Sequence, residues 1–260
     1  MTDALTFDVV GSTAWLRLNR PQALNALNLR VLNQLGERLA EIAARDDLRV
    51  VVLTGTGAAF CVGADLKEAL ASTDWAQAMP DFIDCANLVF TALRNLPIPV
   101  IAALNGVTMA GGLELAMCAD LIVAADTATI GDAHANFGVY PVGGGAAILP
   151  RLIPLNMALY LLFTGKSLSA TDMKALGLVC EVHPGAELDD AVQRLADGLT
   201  KKSPSTLRRM KEVARASAEK SRTDALLHEQ VMFREHLQTQ DFQEGLRAFS
   251  ERRTPHFTGH

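Results

Sequence analysis

Along the first part of the chain, polar and apolar positions alternate. Residues 5–10 (LTFDVV) and 13–19 (TAWLRLN) flank Gly11-Ser12. This predicts a β-hairpin with Ala14, Leu16 and Leu18 on one face. The period then lengthens: within 29–45, Leu32, Leu35, Leu39 and Ile42 recur at spacings of three and four, the stripe of an amphipathic helix. Residues 49–55 (RVVVLTG) are an apolar, β-branched run ending in glycine, as in a strand covered on both faces. Helical patterns continue to about Asn95, and two more apolar runs, 99–106 and 120–126, predict strands. Strand and helix therefore alternate, which places the chain in the α/β class with parallel strands. From about residue 187 the character changes to charge-rich helical segments at 187–202, 205–220 and 222–238. No fixed-period repeat and no low-complexity segment interrupts this order.

With 260 residues, 49% hydrophobic and 20% charged, the chain can bury a large core as one large domain, or a core plus a small appendage. The net charge of −5 offers no general attraction to nucleic acid or to an anionic membrane. The densest basic cluster, Lys201, Lys202, Arg208, Arg209 and Lys211, is expected on the polar side of helices. The apolar run 97–104 is far shorter than the ~20 residues that span a bilayer, and the N-terminus lacks the layout of a signal peptide. Cys61, Cys85, Cys118 and Cys180 have no CxxC spacing, so a reducing, cytoplasmic location is expected.

Several motifs fail on inspection. Gly165-Lys166-Ser167 ends like a P-loop, but Tyr160 stands where that loop needs its first glycine. Gly55-Thr56-Gly57 follows a strand as a dinucleotide-binding turn would, but Phe60 occupies the third glycine position. No HExxH or G-x-S-x-G occurs. His228 and His236 share a helical pattern without a second ligand at metal spacing, so no metal is expected.

Two places share a layout of strand, glycine-containing turn and helix start: 57-GAAFCVGADLKE-68, and Ala110-Gly111-Gly112 before 113-LELAMCA-119. Helix starts expose backbone N–H groups without internal partners, and glycine lets a ligand approach them. Two such starts that converge could grip one carbonyl oxygen; taken separately they are ordinary turns. Glu114 falls among Leu113, Leu115, Ala116 and Met117. It is either a helix-terminal carboxylate or a buried acid kept for chemistry.

Taken together, these residues resemble the enoyl-CoA hydratase/isomerase (crotonase) family. The likeness rests on 20-RPQALNAL-27, 51-VVLTGTGAAFCVGADLKE-68, 97-PIPVIAALNGVTMAGGLELAMCADLIVAAD-126 and 244-EGLRAFSERRTPHFTG-259, in that order along nearly the whole chain. It implies a crotonase-like spiral of ββα units over 1–195 and a C-terminal helical region over 196–260 that takes part in oligomerisation. It also implies a homotrimer or dimer of trimers, and an acyl-CoA thioester substrate with no separate cofactor. By resemblance, the N–H groups of Ala64 and Gly111 hold the thioester oxygen, and Glu114 acts on the acyl chain. Ala23, Leu24, Val62, Asp65, Leu66 and Lys67 border the coenzyme A. Phe233 and Arg252 reach the coenzyme A of a neighbouring subunit.

One departure bears on the reaction. Family hydratases carry a second glutamate twenty residues after the first, and this chain has His134 there, with Asp132 and Asn136 nearby. Histidine can act as acid or base near neutrality. Hydration of a 2-enoyl-CoA is the expected reaction. Isomerisation, hydrolysis and non-catalytic acyl-CoA binding are the alternatives. In 141-PVGGGAAILPRLI-153, Ala146-Ala147-Ile148 replaces a polar run of the family, and the glycine backbone is expected to line the acyl side.

Overall fold

The hairpin forms as β1 (Leu5–Val10) and β2 (Thr13–Leu18), antiparallel with Leu5 opposite Leu18 and Val10 opposite Thr13. The computed structural model describes residues 3–71 and 75–260. Residues 72–74 of the helical stretch expected before Asn95 lie outside them. Beyond β2, the stripe of Leu32, Leu35, Leu39 and Ile42 is buried on α1 (Leu29–Ala43), whose first turn is capped by the Asn28 side chain accepting from the Val31 N–H.

The chain then winds between two sheets. Strand β3 (Val50–Gly55) is followed by β4 (Ala59–Cys61), α2 (Leu66–Ala71) and α3 (Trp75–Arg94). The next turn holds β5 (Val100–Leu104), β6 (Val107–Met109) and α4 (Gly111–Ala116). The third holds β7 (Leu121–Ala125), β8 (Thr129–Gly131), α5 (Leu149–Leu152) and α6 (Leu155–Thr164). After β9 (Ser167–Ser169), α7 (Ala170–Ala175) and β10 (Glu181–His183) come α8 (Leu188–Thr200), α9 (Pro204–Ser217), α10 (Arg222–His236) and α11 (Gln240–Glu251).

One sheet has the order β1-β2-β3-β5-β7-β10, parallel from β2 onward; the other is β4-β6-β8-β9. Each turn contributes one strand to the first sheet and a three-residue strand to the second. The short strands escaped the sequence reading because three residues carry too little periodicity to stand out. The run 99–106 forms one strand, β5, which ends at Leu104; the chain then crosses to the second sheet at Asn105-Gly106.

Strand β2 is buried on both faces, since Trp15 is covered as well as Ala14, Leu16 and Leu18. The Trp15 Nε1–H donates to Gln193 Oε1 on α8 at 2.7 Å. Helix α8 buries Leu188, Ala191, Val192 and Ala196. One basic residue corrects the sequence reading. Lys211 is not on a polar helix face: its ammonium is largely buried and bonds to Asp120 at 2.7 Å. Asp120 also accepts from Arg215 at 2.6 Å and from the Val100 N–H at 2.8 Å, which ties α9 to the edges of β5 and β7.

Candidate active site

The second sheet ends where the chemistry begins. After β4 the chain passes Val62 and Gly63, the latter at φ +94°. Leu27 then pairs with this segment: its N–H donates to Gly63 O at 2.7 Å, and its carbonyl accepts from the Asp65 N–H at 2.8 Å. The N–H of Ala64 donates to no backbone or side-chain acceptor among the described residues. The N–H of Gly111, first residue of α4, is in the same state. The two amides are neighbours: a Cβ on Gly63 would stand 2.9 Å from Gly111 N, and one on Gly111 would stand 3.7 Å from Ala64 N. Ala110 turns the chain into α4 at φ 50°, ψ −123°. A non-glycine residue holds such a conformation at a cost of about 1–3 kcal/mol, stored only where the surroundings enforce it.

Glu114 is 3% exposed. It does not cap its own helix. Its Oε1 accepts from the N–H groups of Gly143 and Gly145, both at 2.8 Å. Its Oε2 accepts no hydrogen bond among the described residues, yet it is not sealed from the surroundings. One oxygen is thus fixed and the other is open, the arrangement a proton acceptor needs. In the glycine loop, the Gly143 and Gly145 amides point at Glu114. Gly145 has no room for a side chain: a Cβ would lie 2.7 Å from Asp132 Oδ2 and 3.3 Å from Glu114 Oε1. Arg94, at the end of α3, donates from Nη2 to Gly143 O at 2.7 Å. It therefore braces the loop from behind.

His134 opens a 3-10 turn over His134–Phe137. Its Nδ1 lies 2.9 Å from Asp132 Oδ2 and 3.0 Å from Oδ1. Burial works against the imidazolium. The bond to Asp132 and the charges of Asp132 and Glu114 outweigh it and raise His134 above its ordinary value. The structure therefore gathers Ala64 and Gly111 at one point, and Glu114, Asp132 and His134 around the 143–145 loop. Sequence reasoning noted Asp132 only as a neighbour; the acid-x-histidine spacing was its signal. Arg94 and the loop amides had none.

Ala23 closes a 3-10 turn over Pro21–Ala23, and Leu24 follows at φ 49°, 44% exposed. Val62 is half-buried, and Leu66 and Lys67 are exposed at the start of α2. Asp65 is paired with Arg20 at 2.8 Å and accepts from the Glu68 N–H. Burial opposes its charge, but Arg20 holds it below the usual carboxylate range. Phe233 packs edge-on against Phe242, with ring centres 6.3 Å apart, and Arg252 ends α11 at φ 54°. Among the described residues neither bonds to the Glu114 group. His236 meets Thr206 Oγ1 at 3.1 Å and His228 faces Glu212 at 3.7 Å. Among the described residues no three His, Cys, Asp or Glu side chains are arranged to hold a metal ion, and no helix is long and apolar enough to cross a membrane.

A family model described as enoyl-CoA hydratase/isomerase matches residues 9–260. A Mycobacterium bovis protein named "Probable enoyl-CoA hydratase echA8" is 37% identical over 244 residues, 94% of this chain and 93% of its own. The 2,3-dehydroadipyl-CoA hydratase of Escherichia coli is 34% identical over 94% of each chain. A crystal structure of enoyl-CoA hydratase from Bacillus anthracis superposes with a TM-score of 0.95 at 33% identity, over 99% of this chain and 100% of that one. The two-sheet spiral with its C-terminal helices is thus the crotonase fold, and the chain belongs to the enoyl-CoA hydratase/isomerase family of enzymes.

Proposed function

We propose that the protein adds water across the double bond of a 2-enoyl-CoA to give a 3-hydroxyacyl-CoA. The observation that carries this reading is the pairing of two unused, adjacent amides, Ala64 and Gly111, with Glu114 on the same short helix as Gly111. The thioester oxygen accepts from both amides. As water oxygen bonds to C3, the π electrons move onto that oxygen, where preorganised N–H donors stabilise them best. Glu114 Oε2 takes the water proton, and His134 supplies the proton that C2 gains on collapse of the enolate. Water and two proton transfers balance the reaction, so it requires no redox group. The hydratase names of the relatives support the same reading.

Coenzyme A would run past Ala23, Leu24, Val62 and the Asp65–Leu66–Lys67 segment, with Phe233 and Arg252 supplied by a neighbouring subunit. A panel of 2-enoyl-CoA substrates tests the reaction. Loss of the conjugated-thioester absorbance without release of free thiol is the expected result. Thiol release would instead mean hydrolysis, a shifted double bond isomerisation, and binding without any turnover a non-catalytic acyl-CoA binder.

The surface of α10 supports the proposed trimer or dimer of trimers. That helix buries no residue within one chain, and Leu226, Leu227, Val231 and Phe233 are each about half exposed. Phe233, Leu226 and Met210 also line a groove of about 470 Å³ between α9 and α10. Apolar surface of this extent on a helix marks an interface. Light scattering is expected to give three or six times the 27.9 kDa chain mass; a single-chain mass would dismiss both the trimer and the shared coenzyme A site.

A further inference from the structure

Asp132 is a carboxylate 1% exposed, with no Lys or Arg partner among the described residues. Among the described residues, both of its donors belong to His134. The backbone N–H of His134 reaches Oδ1 at 3.1 Å, and Nδ1 reaches Oδ2 at 2.9 Å. Bonds from the main chain and the ring to one buried group leave the imidazole little freedom to turn. An ionised carboxylate can only accept, so Nδ1 carries a proton. The other ring nitrogen, Nε2, bonds to nothing among the described residues and is not sealed off. A buried acid whose donors all lie on one histidine points to a task performed through that histidine.

We propose that Asp132 is a positioning residue, which holds His134 by Nδ1 and aims a protonated Nε2 at C2 of the substrate. This rests on the hydration reading for its kinetic consequence, but not for its geometry. In the step, the Nε2–H bond breaks and its electron pair stays on nitrogen. The enolate pair forms the new C2–H bond, and the neutral ring keeps its Nδ1–H on Asp132. The proton that Glu114 took from water then restores Nε2–H, and the cycle closes.

The charged groups facing the ring are Asp132 on its own segment and Glu114 on α4. Helix α6, which packs on the His134 turn, carries no Asp, Glu, Lys, Arg or His. Both neighbours are anionic, so they favour the cation that the step consumes. The rate therefore falls as the pH rises through the raised His134 value.

Asp132→Asn keeps the size and removes the charge. It is expected to lower kcat by about 10-fold or more, to leave KM little changed, and to move the alkaline limb of the rate to lower pH. His134→Gln is expected to abolish that limb. Nitrogen NMR of the imidazole gives a readout independent of activity: in the parent protein, neutral His134 should carry its proton on Nδ1, and its titration should move to lower pH in Asp132→Asn. A parent ring protonated at Nε2, or a titration and alkaline limb unmoved by Asp132→Asn, overturns the assignment. If Asp132→Asn does not fold, the tautomer of the parent decides alone. If no 2-enoyl-CoA is hydrated, the spectra still decide the positioning role, so the two failures are told apart.

Discussion

Replacing Glu114 with glutamine is expected to lower kcat for 2-enoyl-CoA hydration by about 10²–10⁴-fold, the range lost with a general base, while KM changes little. The variant should fold. Glutamine keeps a carbonyl oxygen where Oε1 accepts from Gly143 and Gly145 at 2.8 Å, so the loop retains its acceptor. What disappears is the basicity of Oε2, the open oxygen. Glu114→Ala separates the two roles. It leaves two buried N–H donors without an acceptor, at about 1–3 kcal/mol each, and should lose stability in urea unfolding as well as activity. A Glu114→Gln enzyme that hydrates at the parent rate would remove Glu114 from the mechanism.

The second large effect is expected at Gly63. Its φ of +94° is strained for any side chain, and a Cβ would stand 2.9 Å from Gly111 N and 3.1 Å from the Ala110 Cβ. Gly63→Ala must therefore push apart the two amides assigned to the thioester oxygen. Losing one such donor reduces kcat by about 10²–10³-fold, and the backbone strain adds a stability loss of about 1–3 kcal/mol. Gly177→Ala is the matched control. Gly177 has φ +89° and nothing within 4 Å of a Cβ, so it should lose stability alone, read as a lower Tm with kcat preserved. If Gly63→Ala behaves like Gly177→Ala, with stability lost and rate unchanged, the two amides do not hold the reacting carbonyl.

The reading of the sequence succeeded where physics is local. The stripe on α1, the β-branched run of β3 and the apolar runs of β5 and β7 are each set by neighbours a few residues apart, and each forms near its expected bounds. It failed for β4, β6 and β8, three residues each, which are strands only because the adjacent turns of the spiral supply their partners. It also misread Lys211, because the Asp120 that buries it lies ninety-one positions away.

The candidate site divides along the same line. By itself, the sequence determined the residue types: a lone acid in an apolar helix start, glycines ahead of it, and a histidine twenty residues after the acid. Composition and spacing are enough for that, because chemistry is written in side chains. Only the tertiary structure decided what those residues can do. Which Glu114 oxygen is held depends on Gly143 and Gly145, twenty-nine and thirty-one positions on. Which amides are unused depends on Gly63 and Gly111 meeting across two turns of the spiral. The orientation of His134 depends on Asp132 being buried beside Gly145. Hydrogen bonds reward angles and tenths of an ångström, and between distant segments only packing supplies that precision.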